Sequence, residues 1–120
     1  FYIETEGKKI FHAGDLNNWH WADESTVEEA KEAENHYLRE LNNIAIDVKS
    51  VDVAMFPVDA RIGNGYMRGA EQFVNHIQVG IFVPMHFWEH FSEAQAFALY
   101  ANAHGCRFDA LHIMGETIEF

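Results

Sequence analysis

Residues 51–58 read VDVAMFPV, an almost unbroken apolar run that ends at Asp59. A strand with one wet face alternates apolar and polar residues, whereas a strand covered on both faces is apolar throughout. The run therefore predicts a buried strand in a parallel sheet. Outward from it, residues 79–83, VGIFV, form a second such strand, which ends at Pro84-Met85-His86.

Strand patterns also begin and end the chain. Phe1 to Glu6 and Lys8 to Ala13 predict a hairpin that turns at Glu6-Gly7, because glycine supplies the turn conformation. Arg107 to Met114 and Glu116 to Phe120 predict two final strands.

Three helices are predicted between the strands. Ser25, with Glu28 three residues on, predicts a capped start for a long helix. Its apolar stripe has helical spacing and comprises Val27, Ala30, Ala33, Tyr37, Leu38, Leu41 and Ala45. A short helix is expected over 70–77, and a third from a Ser92 cap, with Gln95, to Ala103. Alternating strands and helices predict an α/β fold with parallel crossovers.

Size and charge narrow the class of protein. The 120 residues predict a single domain, 1–120, and the formal net charge of −11 disfavours nucleic-acid and membrane partners. Cys106 is the only cysteine, which excludes a disulfide framework and a cysteine zinc site. The sequence contains neither an apolar membrane span nor a signal peptide, so a cytoplasmic protein is expected.

Possible metal ligands stand where predicted strands end. Asp15 and His86 each close an apolar run, and Asp59 closes the run that lies between them. The carboxyl ends of parallel strands share one sheet edge, so these side chains are expected to meet there, with Asp15 and His86 as ligands of a divalent metal and Asp59 orienting a ligand from behind. The ordinary alternatives are a turn aspartate, a core histidine and a turn ion pair between Asp59 and Arg61.

The loop over residues 16–24, LNNWHWADE, follows Asp15 directly. Trp19, His20 and Trp21 are candidates for the wall of a substrate pocket. Alternatively, the tryptophans anchor the loop to the core. The remaining histidines share no ligand spacing, and the chain lacks a phosphate loop, a serine-nucleophile elbow and a CxxC motif.

Two of these segments carry a family resemblance. IFHAGD at 10–15 and FVPMHF at 82–87, with residues 51–59 between them, resemble the C-terminal half of the metallo-β-lactamase superfamily. The resemblance implies half of an αββα sandwich, a mixed sheet with helices on one face, and a metal-dependent hydrolase. It also implies that Asp15 and His86 bind the metal, most often zinc, with manganese or iron as alternatives. Asp15 would bridge two ions and serve catalysis.

The chain departs from that family in one respect. The HxHxDH motif, which supplies most of the family's ligands, is absent, and a further ligand histidine would precede Phe1. We therefore expect a fragment of a longer protein that is inactive alone and would cleave a small-molecule substrate when intact. Half a sandwich leaves an apolar sheet face open, so this face is expected to pair with the missing N-terminal half or with a second copy.

Two other functions are compatible with the sequence. In a non-catalytic α/β interaction module, Asp15 and His86 would be structural and the open sheet face would bind a protein. A di-iron oxidoreductase of the same fold is the second alternative, although no electron-transfer segment accompanies it here.

Overall fold

Five strands form one sheet in the computed structural model, which describes residues 1–21 and 24–120. The strands lie in the sheet in their order along the chain. They are β1 Tyr2–Thr5, β2 Lys8–His12, β3 Ser50–Pro57, β4 Gln78–Met85 and β5 Arg107–Phe108. β1 is antiparallel to β2, and the other neighbouring pairs are parallel. The predicted α/β class with a mixed sheet is therefore confirmed.

The first hairpin forms where the sequence predicts it. Tyr2 pairs with Phe11, and the turn between the strands places both Glu6 (φ 51°) and Gly7 (φ 77°) in the left-handed region. Positive φ at both central residues matches the right-handed twist of the two strands, which makes this turn type common in tight hairpins.

The helices differ from prediction mainly at their ends. They are α1 Val27–Asp47, α2 Arg68–His76, α3 Phe91–Gln95 and α4 Ala98–Ala103, and a single 3₁₀ turn spans Ala60–Ile62. Thr26 caps α1, not Ser25, since the Thr26 side chain accepts a hydrogen bond from the amide of Glu29. The helix predicted from Ser92 is divided into α3 and α4, and Ser92 does not cap it: its hydroxyl donates to Glu93.

The prediction for the end of the chain is wrong. Only Arg107–Phe108 pairs with the sheet, and no strand is formed between residues 109 and 120. Two of the apolar residues there, Leu111 and Ile118, pack on the sheet by their side chains instead, whereas Ile113, Met114 and Phe120 are exposed. Residues 22 and 23 of the predicted 16–24 loop lie outside the described residues.

The main core lies between the sheet and the helices. A ladder of aromatic rings runs through it, in the order Phe11, Phe73, Phe56, Phe82 and Phe97, with neighbouring centroids 4.7–6.2 Å apart. All four helices contribute buried residues, among them Tyr37 and Leu41 from the predicted stripe of α1, whereas Val27 is 80% exposed. Burial of this aromatic surface is the principal force that fixes the helices on the sheet.

A second, smaller cluster covers the opposite face of the sheet. Val53, Ile81 and Val83 are buried there, and Leu111 and Ile118 from the C-terminal segment pack against them. This face was expected to be open, but its centre is covered because the apolar residues after β5 fold across it. Among the described residues, no helix combines the length and the apolar character needed to cross a membrane.

Candidate functional site

Three strands bring the predicted ligands to one edge of the sheet. β2, β3 and β4 run parallel, and Asp15, Asp59 and His86 follow their carboxyl ends within a few residues. The amide of Gly14 donates to Nδ1 of His12 at 3.0 Å, which shapes the turn that carries Asp15. The predicted meeting of the three side chains is therefore observed.

His86 lies between the two carboxylates. Its Nε2 is 3.0 Å from Oδ1 of Asp15, and its Nδ1 is 3.2 Å from Oδ2 of Asp59. The side chain of Asp15 is 87% exposed, whereas that of Asp59 is fully buried. His86 thus joins an exposed acid at the surface to a buried acid beneath it.

Asp59 is held as a carboxylate by Arg61. Burial acts to raise the pKa of Asp59, but hydrogen bonds from the side chain and backbone of Arg61 outweigh it and keep the pKa below its usual value. The guanidinium binds both oxygens, with Nε 2.9 Å from Oδ1 and Nη2 2.6 Å from Oδ2. Both ideas about Asp59 hold geometrically: it forms a turn ion pair with Arg61, and it contacts the candidate ligand His86.

His86 contacts a carboxylate at each ring nitrogen, and a neutral imidazole can donate a hydrogen bond to only one of them. A neutral imidazole carries a single N–H, and the ionised Asp59 accepts only hydrogen bonds. If Nδ1–H donates to Asp59, then Nε2 presents a lone pair towards the carboxylate of Asp15. Two facing acceptors repel unless a proton or a cation lies between them. The arrangement is thus satisfied by an imidazolium or by a metal ion.

Two indole rings flank His86. The Trp19 ring centroid is 5.4 Å from that of His86, and Trp19 Nε1 donates to the carbonyl of Asp15 at 2.5 Å. The Trp88 ring is 6.4 Å from His86 and is 67% exposed, with the guanidinium of Arg61 5.0 Å from its centroid. The expectation that Trp19 borders the site agrees with this geometry, whereas Trp88 was missed by the sequence analysis.

His86 and Trp88 both adopt left-handed backbone conformations, with φ of 66° and 53°. Such conformations cost a residue with a side chain about 1–2 kcal/mol each. They occur often where a chain is forced to present side chains at a functional site. The turn after β4 therefore keeps a strained shape that aims His86 at the two carboxylates.

His20 and Trp21 do not join this cluster by hydrogen bonds within the described part of the chain. Nδ1 of His20 is buried and has no partner among the described residues, and Trp21 is 44% exposed. The carbonyl of Trp21 accepts from the amides of Glu24 and Ser25. Trp21 thus contacts, through its carbonyl, residues just before α1, and its expected place in a pocket wall is not supported by these contacts.

Behind the loop lies a polar cluster that sequence reasoning also missed. Oε1 of Glu34 in α1 accepts from Nδ2 of Asn18 (3.3 Å), from Nε2 of Gln72 in α2 (2.8 Å), and from Nε of Arg68. Asn18 is only 2% exposed. The hydrogen bond from Arg68 is the main cause that lowers the pKa of Glu34, and those from Gln72 and Asn18 add to it.

The lowered pKa of Glu34 predicts how the free energy of unfolding depends on pH. The pKa of Glu34 is lower in the folded protein than in the unfolded chain. Its stabilising effect is therefore complete at pH values above the unfolded pKa of about 4.3. The effect is lost as the pH falls through the folded pKa. We expect Glu34→Gln to lower the free energy of unfolding by about 1 kcal/mol at pH 7, with the difference shrinking below about pH 4.3. Urea denaturation of both proteins between neutral and acidic pH measures it; a difference that grows in acid would contradict the assignment.

The donors present suit a divalent cation only in part. Nε2 of His86 and Oδ1 of Asp15 face each other, and imidazole with carboxylate is a ligand pair that zinc accepts. Within residues 1–21 and 24–120, no group of three or more His, Cys, Asp or Glu is arranged to hold a metal ion. The described residues thus offer two ligands, whereas a complete zinc site has at least three from protein.

The fold and the site together define an α/β protein with a carboxylate–histidine–carboxylate cluster at the carboxyl edge of its sheet. No known protein family, curated protein or solved structure matches the chain in comparison. Its function must therefore be argued from the geometry of this cluster.

Proposed function

We propose that the chain is the C-terminal half of a metal-dependent hydrolase built as an αββα sandwich. The observation that carries this proposal is the position of His86, with a buried, ionised carboxylate at Nδ1 and an exposed carboxylate at Nε2. Protein metal sites commonly orient a ligand histidine through a carboxylate at its other nitrogen. Asp59 would fill that role here.

Each residue then has a distinct task. Asp59, fixed by Arg61, keeps the proton of His86 on Nδ1, so that Nε2 is free to bind a cation. Asp15 and His86 would be its ligands, with zinc the best match to imidazole and carboxylate and with manganese or iron as alternatives. A divalent cation there would act as a Lewis acid that polarises the scissile bond and acidifies water.

The surroundings favour a small-molecule substrate. Asp15 is open to solvent, so a substrate can approach without displacing the core. Trp19 and Trp88 both lie beside His86, and this apolar ring surface next to the candidate ligands suits a substrate with an apolar part. The missing ligands would come from an N-terminal half, or from a second copy, that packs on the sheet face opposite the helices, around or in place of the segment after β5 that covers the centre of this face. The chain alone would then bind metal weakly and would be inactive.

A zinc titration by calorimetry tests the proposal. We expect the chain to bind one Zn²⁺ weakly through Asp15 and His86, and we expect His86→Ala and Asp15→Ala each to abolish measurable binding at this site. Asp59→Asn, which leaves both ligands in place, is expected to weaken it by about 10–100-fold. His76→Ala is the control, because His76 is an exposed histidine at the end of α2, just before β4 begins and therefore away from the carboxyl ends of the strands.

The same titration separates the proposal from its main alternative. In a non-catalytic interaction module, His86 would carry a proton on both nitrogens and donate hydrogen bonds to Asp15 and Asp59. It would then connect the ends of β2, β3 and β4 without a metal. No zinc binding by the unmodified chain, together with a loss of stability in His86→Ala, would favour that module. Equal zinc affinity in the unmodified chain, His86→Ala and Asp15→Ala would contradict the proposed site.

A further inference from the structure

The loop that carries Asp15 is attached to the helices through one carboxylate. Glu34 accepts hydrogen bonds from three side chains: Asn18 in the loop, and Arg68 and Gln72 in α2. Asn18 also donates to Oε1 of Gln72 at 3.2 Å. Since Asn18 is almost fully buried, the loss of its partners would leave a polar amide without compensation.

The backbone of α2 fixes the loop from a second side. A Cβ atom at Gly69 would lie 1.9 Å from Oδ1 of Asn17 and 2.9 Å from the amide nitrogen of Asn18, so the loop packs directly on the helix backbone. The carbonyl of Gly69 accepts from the hydroxyl of Tyr37, which is itself buried in α1. Loop, α1 and α2 therefore form one packed unit.

This unit ends at the candidate ligand. Trp19 follows Asn18 directly, and its indole N–H donates to the backbone carbonyl of Asp15 while its ring lies beside His86. The side chain of Asp15 is too exposed to be fixed by packing. Its position relative to His86 therefore depends on the backbone of the loop.

We propose that Glu34 is a positioning residue, which acts through Asn18 and Trp19 to hold Asp15 within reach of His86. The inference deepens the proposed function, because it assigns the control of ligand geometry to a side chain outside the cluster. The role requires the acceptor oxygen of Glu34 in its place, and its negative charge is secondary. Glutamine at this position should therefore preserve it, and leucine should not.

The indole N–H of Trp19 reports on this coupling without any metal. It is assigned in ¹⁵N–¹H spectra by the signal that is lost in Trp19→Phe, and its hydrogen exchange measures the bond to Asp15. We expect Glu34→Leu to accelerate this exchange at least about tenfold, because the loop then opens locally. Glu34→Gln should stay within about threefold of the unmodified chain, because it keeps the acceptor oxygen. Glu32→Leu, at an exposed position of the same helix, should change nothing.

Asn18→Ala breaks the same contact from the loop side. It removes the amide that donates to Glu34 and adds no bulk, so it serves if Glu34→Leu does not fold. It is expected to accelerate exchange of the Trp19 indole as strongly. Unchanged exchange in Glu34→Leu, or in Asn18→Ala if only that variant folds, would overturn the inference.

Zinc titration of the same variants separates this inference from the proposed function. If both are right, Glu34→Leu and Asn18→Ala weaken zinc binding at least about tenfold, whereas Glu34→Gln and Glu32→Leu bind as the unmodified chain does. Faster indole exchange in a chain that binds no zinc would support the positioning role and contradict the metal site. Faster exchange with unchanged zinc affinity would show that the loop does not position Asp15, and would overturn the inference alone.

Discussion

Phe56→Ala is expected to lower the free energy of unfolding by about 3–5 kcal/mol. Phe56 is fully buried in β3, the central strand, and its ring stacks on Phe73 at 4.7 Å and contacts the rings of Tyr37 and Phe82. Its removal deprives α1, α2 and β4 of a common partner at once. Phe73 and Phe82 also stack on other rings of the ladder, so we expect them to fill only part of the cavity that the missing ring leaves.

Urea denaturation monitored by circular dichroism measures this change in the free energy of unfolding. Leu99→Ala is the matched control, because Leu99 lies in α4 but is 83% exposed. This substitution should change the free energy of unfolding by no more than about 0.5 kcal/mol. If Phe56→Ala lowers the free energy of unfolding by less than about 1 kcal/mol, the aromatic ladder is not the main source of stability in the core.

Gly69→Ala is expected to destabilise the protein by at least about 2 kcal/mol, against the usual direction for this exchange. Inside an exposed helix, alanine in place of glycine stabilises by about 1 kcal/mol. Here the new methyl group would overlap Oδ1 of Asn17 and press on the backbone amide of Asn18. The loop would have to withdraw from α2, and Asp15 and Trp19 would move with it.

A double-mutant cycle identifies the cause. Asn17→Ala removes the side chain that the methyl group would meet first, so Gly69→Ala should cost less in that background than in the unmodified chain. The backbone of Asn18 stays close, so the relief should be incomplete. Strictly additive losses, or a gain in stability for Gly69→Ala alone, would contradict the close approach of loop and helix.

The convergence of Asp15, Asp59 and His86 on one edge of the sheet was predictable because strand polarity determines which edge they share. Apolar runs that end in a polar residue define three strands, and parallel order brings their carboxyl ends together whatever the details of packing. The hairpin at Glu6-Gly7 was predictable for an equally local reason. Such features require no knowledge of contacts between distant segments.

The misses have physical reasons of two kinds. Ser25 and Thr26 are both good capping residues, and each has a glutamate three positions later, so the sequence does not distinguish them. Residues 109–120 have strand-like composition, but side-chain packing on Val53 and Ile81 competes with strand pairing, and packing prevails there.

The polar cluster at Glu34 was beyond sequence reasoning. Its members Asn18, Arg68 and Gln72 are 16, 34 and 38 residues away from Glu34 along the chain, and no periodicity relates them. The left-handed turn at His86 and Trp88 is similar, because residues other than glycine seldom adopt that conformation and their identity alone does not predict it. Both features involve contacts between segments that are distant in the sequence.

The order of strands in the sheet has a consequence for how the site arises during synthesis. Because each strand lies beside the next one in the sequence, every new strand can add to the sheet edge left by its predecessor as the chain leaves the ribosome. Asp15 arrives after β2, Asp59 after β3, and His86 only after β4. His86 therefore completes the cluster late, and a nascent chain shows its two acids together before it gains the imidazole that joins them.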